Sequence, residues 1–306
     1  MNHYEIINQF RAAMLDAGVI YNGEILPDGK LHRIHVEGDR SGTQNGAYTL
    51  HLDKVPAGYF EYFKLGVRQT WRADGKAGRL SKADFIAIQE ARRQRAEEQA
   101  RLNRLAANKA RYLWNASLKT AVHPYLIKKR IKAHGARTAK TGALIIPLYD
   151  DRLNLVNVQL INADGIKRFL SGGKKKGCFW WLGDSTDTVL IAEGFATAAT
   201  LHEQTGKQVF IAFDAGNLDP VTKIVRAKLP DVEIIIGGDN DESGKGQQCA
   251  RAAAIAVNGK VLIPPRVGED WNDHFCRELG KSSPKFPEKP EINTSPFEHF
   301  GATKGK

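Results

Sequence analysis

Residues 188–217 read TVLIAEGFATAATLHEQTGKQVFIAFDAGN and contain two apolar runs that each end at an acidic residue. The runs have the length and composition of buried strands, and the segment between them has helical composition. The same alternation continues as a helix, a strand, a helix and a strand over residues 219–230, 232–241, 246–259 and 260–265. Short strands that alternate with helices indicate βαβ units, so this region predicts an α/β fold with a parallel sheet and helices on both faces.

Acidic residues follow each of these predicted strands. They are Glu193, Asp214, Asp239, Asp241, Asp270 and Asp273. Because ligands bind beyond the carboxyl ends of the strands in an open parallel sheet, we expect these carboxylates to converge. Neighbouring carboxylates repel one another, and a hard divalent cation removes that conflict. The pattern therefore predicts a metal site, and Mg²⁺ suits a few carboxylates combined with water and phosphate oxygens.

The loop GGDNDESGKG at residues 237–246 fits neither of two common ion-binding or phosphate-binding motifs. As an EF-hand it would have Ala250 at the position that requires a bidentate Glu. As a P-loop it would have Asp239 and Gly246 at positions that require Gly and a hydroxyl residue. An acidic loop that only caps the next helix needs one Asp and leaves Glu193 unexplained. A Glu at one strand end with Asp-x-Asp at another end of the same sheet is the more specific pattern.

The first part of the chain, residues 1–75, predicts a small α+β domain. Residues 1–20 have amphipathic helical spacing, and short extended segments broken by turns follow. The aromatic residues of this domain allow two interpretations, since they either pack a small core or stack on nucleic-acid bases. The core interpretation is favoured for this set: Tyr48, Tyr59, Phe60, Tyr62, Phe63 and Trp71.

The excess of positive over negative charge is concentrated in residues 76–140. This segment holds 17 Lys and Arg against 4 Asp and Glu, in a chain whose net charge is +11. Residues 81–118 lack Pro and Gly and predict one long helix. We interpret the segment as a basic helical linker that binds nucleic acid, because each phosphate that is neutralised releases a condensed counterion. The alternative is a solvated helix that keeps the protein soluble, and charge alone does not decide between the two.

Three further segments complete the chain. Residues 141–186 predict a β meander, residues 187–280 contain the parallel sheet, and residues 281–306 have the composition of a disordered tail. Three widely spaced cysteines argue against a disulfide framework or a zinc ribbon and favour the reducing cytoplasm. The chain has no apolar run of transmembrane length and no apolar signal core at its N-terminus, so we expect no contact with a membrane.

These motifs resemble a known family. The strand–Glu–Gly–helix unit and the later Asp-x-Asp are similar to the Toprim signature shared by topoisomerases, bacterial-type primases and some nucleases. The wider match is to the primases of plasmids and satellite phages, through LIIPLYD, LVNVQLINADGIKRFLSGG, IAEGFATAATL, AFDAGNL and IIIGGDND. The resemblance covers about residues 120–275 and includes the helix that contains HPYL.

The resemblance implies a role for each matching residue. Glu193 corresponds to the proposed general acid or base, and Asp239 and Asp241 correspond to the aspartates that bind Mg²⁺. Asp270 belongs to a later acidic segment that helps to hold the metal, and Mn²⁺ is the alternative ion. The residues expected at the edge of the site are Asp214, Asn217 and Asp273.

Basic residues before the Toprim unit are expected to bind nucleotide phosphates and nucleic acid. They are Lys128, Lys129, Arg130, Lys167, Arg168, Lys174, Lys175 and Lys176. For the three lysines at 174–176 a solvated turn is an equally good interpretation.

The activity that the resemblance implies is the synthesis of short RNA primers on single-stranded DNA by Mg²⁺-dependent nucleotidyl transfer. The expected setting is the replication of a plasmid, a phage or another mobile element, with NTPs and a single-stranded template as substrates. A separate replicative helicase is the expected partner, because the sequence contains neither a Cys-rich zinc module nor a Walker A motif. Two alternatives remain open, namely a Toprim nuclease that uses water as the nucleophile and a non-catalytic protein that binds single-stranded DNA.

Overall fold

Two compact units make up the protein. The computed structural model describes residues 2–53, 55–73 and 82–279. Unit 1 is Met1–Glu98 and unit 2 is Gln99–Lys306. The predicted disordered tail lies outside the described residues. None of the helices in the described part combines the length and the apolar composition that crossing a bilayer requires.

Unit 1 contains a helix and a four-stranded antiparallel sheet. Its elements are α1 (His3–Asp16), β1 (His32–Ile34), β2 (Gly46–His51), β3 (Ala57–Tyr62) and β4 (Val67–Arg72). The strands lie in sequence order, so each one pairs with its neighbour in the chain. Asn2 and Glu5 form reciprocal caps at the start of α1, which satisfy two of its free backbone N–H groups. The predicted small α+β domain is confirmed, with β4 as an additional strand.

The core of unit 1 lies between α1 and one face of this sheet. The ring of Phe10 meets the rings of Tyr48, Phe60 and Trp71 edge-on, at centroid distances of 6.0, 5.8 and 5.2 Å. Phe10, Tyr48 and Phe60 are fully buried, and Tyr62 joins the same core. Four of the six aromatic residues of the predicted domain therefore pack the core, whereas Tyr59 and Phe63 do not belong to it.

The long helix α2 (Lys82–Asn115) begins in unit 1 and ends in unit 2. Its last turns are docked, because Ala106 and Ala110 are buried and Ala110 packs against Ile145 of the following sheet. Small side chains let a helix lie close to a sheet. The many Arg and Glu residues of α2 make this short apolar stripe difficult to recognise in the sequence. The boundary between the two compact units lies within α2, and the role of residues 76–140 as a separate linker stays a prediction.

An antiparallel sheet of five strands follows in unit 2. In chain order and in space, its strands are β5 (Leu118–Lys119), β6 (Arg137–Thr138), β7 (Leu144–Tyr149), β8 (Leu155–Ile161) and β9 (Lys167–Phe169), and α3 (Pro124–Lys129) lies between the first two. The predicted meander corresponds to β7, β8 and β9. The short strands β5 and β6 extend it, although they come from the segment predicted to be helical. Strand β7 is buried throughout, because α2 packs on one face and the main core of unit 2 on the other.

The second sheet of unit 2 is the predicted parallel sheet. Its elements are β10 (Trp180–Leu182), β11 (Thr188–Ala192), α4 (Phe195–Thr205), β12 (Gln208–Ile211), α5 (Leu218–Lys228), β13 (Glu233–Gly237), α6 (Lys245–Ile255), β14 (Lys260–Leu262) and α7 (Trp271–Leu279). The strand order is β10-β12-β11-β13-β14, in which β10 is antiparallel and the other four strands are parallel. Strand β10 comes from the segment predicted to belong only to the meander, and α7 is an additional helix.

Helices cover both faces of the parallel sheet. From β11 the chain crosses through α4 to β12 on one side, and it then crosses through α5 to β13 on the other side. Right-handed crossovers in opposite directions place α4 and α5 on opposite faces. Helix α7 packs with α4, and α6 packs with α5, which gives two helices on each face. The predicted fold class is confirmed.

Candidate active site

Strand β11 is the point at which the parallel sheet reverses its strand order. Loops that leave neighbouring strands in opposite directions open a crevice at the carboxyl edge of the sheet. A cavity of about 410 Å³ lies at this edge, and one acidic residue from the end of each parallel strand lines it. These residues are Glu193, Asp214, Asp239 and Asp270. The structure therefore brings together four of the six acidic residues that follow the predicted strands.

The opposite wall of the cavity comes from α3 and from the β8–β9 hairpin. Lys128 and Lys129 of α3 line it, together with Lys167 at the start of β9. Tyr125 and Asp164 complete this wall. Ammonium groups therefore face carboxylates across the cavity.

Glu193 and Asp239 are strongly perturbed acids. Glu193 Oε1 and Asp239 Oδ1 are buried, and neither has a hydrogen-bond partner among the described residues. Desolvation, followed by repulsion from Asp239, raises the pKa of Glu193 to about 8. Desolvation, followed by repulsion from Asp270, raises the pKa of Asp239 to about 7. A bound cation would relieve both the repulsion and the missing hydrogen bonds.

Asp241 has a different environment from Asp239. Its Oδ2 accepts a hydrogen bond from the backbone N–H of Gly246 at 2.7 Å, and its Oδ1 accepts from that of Lys245 at 3.1 Å and from Ser243 Oγ at 2.6 Å. Although burial acts to raise it, these hydrogen bonds lower the pKa of Asp241. Asp241 therefore caps the start of α6, while Asp239 faces the cavity.

Gly246 lies where the two acidic loops touch. A Cβ atom at this position would lie 2.7 Å from Asp239 O, 2.9 Å from Asp241 Oδ2 and 3.2 Å from Glu193 Oε1. We expect Gly246→Ala to push these loops apart and to lower the free energy of unfolding by roughly 1–3 kcal/mol. Chemical denaturation measures the change in stability.

Gly194→Ala is the matched control for this substitution. A Cβ atom at Gly194 would lie 3.7 Å from Lys167 Nζ and 3.9 Å from Thr197 Oγ1, which are ordinary contact distances. We expect this variant to keep its stability. Equal destabilisation of the two variants would show that the close approach at Gly246 is unimportant.

Lys129 is held by the two aspartates at the start of α7. Its Nζ lies 2.9 Å from Asp273 Oδ1 and 3.9 Å from Asp270 Oδ2. The buried side chain of Asn272 fixes this arrangement, because its Nδ2 donates to Lys129 O at 2.7 Å and to Thr200 Oγ1 at 2.8 Å. Asn272 joins α3, α4 and α7 behind the cavity, a role that no local sequence pattern indicated.

The structure separates the basic residues that were expected to bind phosphate. Lys167 Nζ lies 6.0 Å from the centre of the Tyr125 ring, and it has neither an ion pair nor a hydrogen bond among the described residues. Desolvation, opposed by Asp270, lowers the pKa of Lys167. Arg168 is the next residue of β9, so its side chain points to the opposite face of the strand. Of this pair, only Lys167 lines the cavity.

The lysine turn at residues 174–176 is fastened to the strand end that carries Asp214. Lys175 forms an ion pair with Asp214, and its Nζ lies 5.2 Å from the centre of the Phe169 ring. Asn217 is only 2% exposed and holds the backbone of this region. Its Nδ2 donates to the carbonyl groups of Lys175, Cys178 and Ala212. Its Oδ1 accepts from the backbone N–H of Gly177. Asn217 therefore fixes the turn.

Removal of the Asn217 amide leaves several buried carbonyl groups without a donor. We expect Asn217→Ala to lower the free energy of unfolding by about 2–4 kcal/mol. Asn154→Ala is the control, because Asn154 is an exposed residue whose amide bonds to Asp150 in a surface turn. Thermal and chemical denaturation measure the difference, and a change below about 0.5 kcal/mol in Asn217→Ala would contradict this role.

Tyr125 and Asp164 are among the residues of the cavity lining that sequence reasoning missed. His123 caps α3, with its Nδ1 accepting from the backbone N–H of Tyr125 at 3.1 Å, and Pro124 is the first helical residue. The HPYL motif was thus a usable signal for Tyr125, and the turn INADG was one for Asp164. Arg130, which ends α3, is exposed and donates to a carbonyl of α7.

Three carboxylates could hold a metal ion. Within the described residues, no group of three or more acidic, His or Cys side chains is already arranged around one point as metal ligands. Glu193, Asp239 and Asp270 nevertheless line one cavity, and two of them have buried oxygens without partners. Carboxylate oxygens of this kind suit Mg²⁺ or Mn²⁺. Asp241 would have to release its bonds to α6 to join them.

The sequence matches known proteins in two ways. Residues 188–281 match the Toprim domain family. Over 256 residues, or 78% of this chain, the sequence is 38% identical to DNA primase TraC of Escherichia coli. A second DNA primase TraC of Escherichia coli is 36% identical over 280 residues, or 84% of this chain. The matched regions make up 24% and 19% of those two proteins, so the chain spans less than a quarter of their length.

Among solved structures, the primase fragment of the bacteriophage T7 primase-helicase protein is similar over 82% of this chain and 96% of that chain. The identity is 15% and the TM-score is 0.43, which does not establish a common fold for the whole chain. The strand order and the acidic strand ends of unit 2 agree with the sequence match. Residues 188–281 are therefore similar to the Toprim domain family, and most of the chain is similar to one part of the DNA primases TraC.

Proposed function

We propose that the protein is a DNA primase that synthesises short RNA primers on single-stranded DNA. The observation that carries this proposal is the cavity of the Toprim domain, in which Glu193, Asp239 and Asp270 face Lys128 and Lys167. Transfer of a nucleotide to a 3′-hydroxyl requires carboxylates that gather a divalent cation and cations that bind the phosphates. Similarity to the DNA primases TraC over most of the chain supports this activity.

Glu193, Asp239 and Asp270 are the proposed metal ligands, with Asp241 as a further candidate. When bound, Mg²⁺ would lower the pKa of the attacking hydroxyl and stabilise the charge on the leaving pyrophosphate. Glu193 is also suited to proton transfer, because a carboxyl with a pKa of about 8 exchanges its proton near neutral pH. Asp241 supports the site in either case, since it fixes the loop that carries Asp239 to α6.

Lys167 is the proposed principal ligand of the nucleotide phosphates. Its ammonium group borders the cavity and, among the described residues, it contacts the Tyr125 ring but forms no ion pair, so a phosphate would not have to displace a carboxylate. Lys128 lines the same wall and is exposed. Lys129 also lines this wall, but its Nζ lies 2.9 Å from Asp273 Oδ1, so it stays paired even when Asp270 turns towards a cation.

NTPs and a single-stranded DNA template are the substrates in this proposal, and a separate replicative helicase is the partner that opens the duplex. The basic residues of α2 and α3 would follow the DNA backbone. The proposed setting is the replication of a plasmid, a phage or another mobile element in the cytoplasm.

The test is primer synthesis on single-stranded DNA with labelled NTPs and Mg²⁺ or Mn²⁺. We expect RNA products that depend on NTPs. Lys167→Met should lower their yield by about 100-fold or more, because it removes the charge that contacts the phosphates. Arg168→Met changes the next residue, on the opposite face of β9, and should change the yield little. A wild-type protein without product, or equal losses in the two variants, would refute the proposal.

A parallel incubation with DNA and the metal ion, but without NTPs, distinguishes synthesis from cleavage. A primase leaves the DNA intact under these conditions. Loss of the DNA would instead identify a nuclease, in which water replaces the 3′-hydroxyl as nucleophile.

A further inference from the structure

The sheet of unit 1 has a second face that α1 does not cover. Pairing and alternation along the strands define this second face, called the open face here, as Arg33, Ala47, Thr49, His51, Ala57, Tyr59, Glu61, Arg68, Thr70 and Arg72. Ala47 is buried within it, whereas Arg33, Arg68, Thr70 and Arg72 are exposed. The alternate positions, among them Tyr48, Leu50 and Phe60, point to α1 and form the core. The outer face of an antiparallel sheet is ordinarily polar, so its particular composition decides what it can bind.

Tyr59 lies at the centre of the open face. It pairs with Thr49 on β2 and with Thr70 on β4, so small side chains flank its ring on both neighbouring strands. Arg68 and Arg72 lie two residues before and after Thr70 and are therefore diagonal neighbours of Tyr59, at about 7–8 Å. An aromatic residue with arginines at two diagonal positions of the next strand is suited to a base whose flanking phosphates contact the arginines.

A second pair of this kind lies at the edge of the open face. The guanidinium carbon of Arg33 is 4.2 Å from the centre of the Phe63 ring. Arg33, Arg68 and Arg72 are all exposed. Glu61 is the one acidic residue among the described strand positions of this face, and it is bonded to Tyr59 Oη at 2.9 Å and to Arg68 Nε at 2.8 Å. The face thus carries an excess of positive charge beside aromatic rings.

We propose that the open face of unit 1 binds single-stranded DNA, as a second site separate from the Toprim cavity of unit 2. Three arginines complement a polyanion. The aromatic rings decide the kind of polyanion, because stacking requires unpaired bases and a duplex buries the faces of its bases. An acidic protein surface would satisfy the arginines but would leave Tyr59 without a role.

The test measures the binding of fluorescein-labelled oligothymidylate to the full chain by fluorescence anisotropy, without NTPs or metal ions. Tyr59→Thr should weaken binding about tenfold or more, whereas Tyr59→Phe keeps the ring and should retain wild-type affinity. The double variant Arg33→Gln/Arg72→Gln should also weaken binding about tenfold or more. It should reduce the slope of log affinity against log salt concentration by roughly 0.7 for each phosphate that is no longer neutralised.

The matched control for the double variant is Lys30→Gln/Arg40→Gln. Both residues are exposed residues of unit 1 outside the open face, and the change in net charge is the same. Equal weakening by the two double variants would overturn the proposal, because general charge would then explain the binding. Equal binding of duplex DNA or of polyglutamate would also overturn it, since neither presents unpaired bases. Circular dichroism checks that each variant is folded. If Tyr59→Thr does not fold, Tyr59→Phe and the two double variants still provide a readout.

This inference does not require the proposed catalytic activity. If the protein binds oligothymidylate through the open face but makes no primer, the proposed function fails and the second site remains. If primer synthesis is found and Tyr59→Thr binds DNA as the wild type does, the second site fails and the proposed function remains.

Discussion

Asp239→Asn should abolish primer synthesis, with a loss of about a thousandfold or more. A divalent cation contributes several kcal/mol of transition-state stabilisation, and a thousandfold corresponds to about 4 kcal/mol. The amide has nearly the same shape as the carboxylate but no charge to attract the cation. The assay is the yield of labelled RNA on single-stranded DNA at saturating NTP and metal concentrations.

The same substitution should stabilise the metal-free protein. Repulsion between Glu193 and Asp239 helps to raise the pKa of Glu193, so removal of one charge relieves the other. We therefore expect Asp239→Asn to have a higher Tm than the wild type at pH 8 in the presence of EDTA. Loss of activity together with increased stability would separate a functional defect from misfolding.

Glu242→Gln is the control for Asp239→Asn. It removes a carboxylate from the same loop, but Glu242 is exposed and does not line the cavity. We expect its activity to stay within about twofold of the wild type. If Asp239→Asn retained the activity of Glu242→Gln, the cavity would not be the site of nucleotidyl transfer.

The second large effect is a loss of stability of the metal-free protein as the pH rises. In the folded state the pKa of Glu193 is about 8 and that of Asp239 is about 7, against ordinary values of 4.5 and 3.8. Both groups bind protons more tightly in the folded chain, so unfolding releases protons between these limits. The contribution of these two groups to the free energy of unfolding is therefore fully present below about pH 4, and it is lost progressively as the pH rises to about 8.

The expected size of this effect is on the order of several kcal/mol, because one unit of pKa shift corresponds to about 1.4 kcal/mol. In a folded domain as long as unit 2, a loss of several kcal/mol of unfolding free energy lowers Tm by about 10 °C. Thermal unfolding in EDTA across pH 5 to pH 8.5 measures the change for unit 2. Addition of Mn²⁺ or Mg²⁺ should restore most of the loss at high pH, because the cation binds the ionised carboxylates of the folded state.

Glu193→Gln tests the origin of this pH dependence. The variant lacks one of the two raised pKa values, and it also removes a neighbouring charge from Asp239. We therefore expect a flatter curve of Tm against pH and a smaller response to the metal ion. A wild-type protein whose Tm in EDTA rises from pH 5 to pH 8.5 would contradict the raised pKa values of the buried Glu193 and Asp239.

Local sequence was sufficient to identify the parallel sheet and its acidic edge. The predicted strands at 188–194 and 232–241 contain β11 and β13, because a short apolar run before an acidic loop is a property of the segment itself. Strands such as β10 were not identified as part of this sheet. Only three residues of β10 pair with β12, and the segment between these two strands holds β11 and α4, so no local pattern links them.

The roles of individual site residues depended on contacts between distant segments. Lys167 and Arg168 are equivalent in the sequence, yet the register of β9 points only Lys167 into the cavity. Asp239 and Asp241 belong to one motif, yet the start of α6 takes both oxygens of Asp241. Asn217 was assigned to the edge of the site with a turn role as an alternative, and only the structure shows that the turn it holds lies some forty residues earlier in the chain.

These outcomes have one physical reason. Strand and helix periodicity, and the acidic residues that end a strand, are encoded in a few consecutive residues, so the parallel sheet could be predicted. Burial, hydrogen bonding and pKa depend on which segments meet in space. The pKa of Glu193 is raised first by burial in the folded chain and then by Asp239, which β13 brings beside it. The same holds for the open face of unit 1, because it is the register of β3 with β4 that places Tyr59 between Arg68 and Arg72.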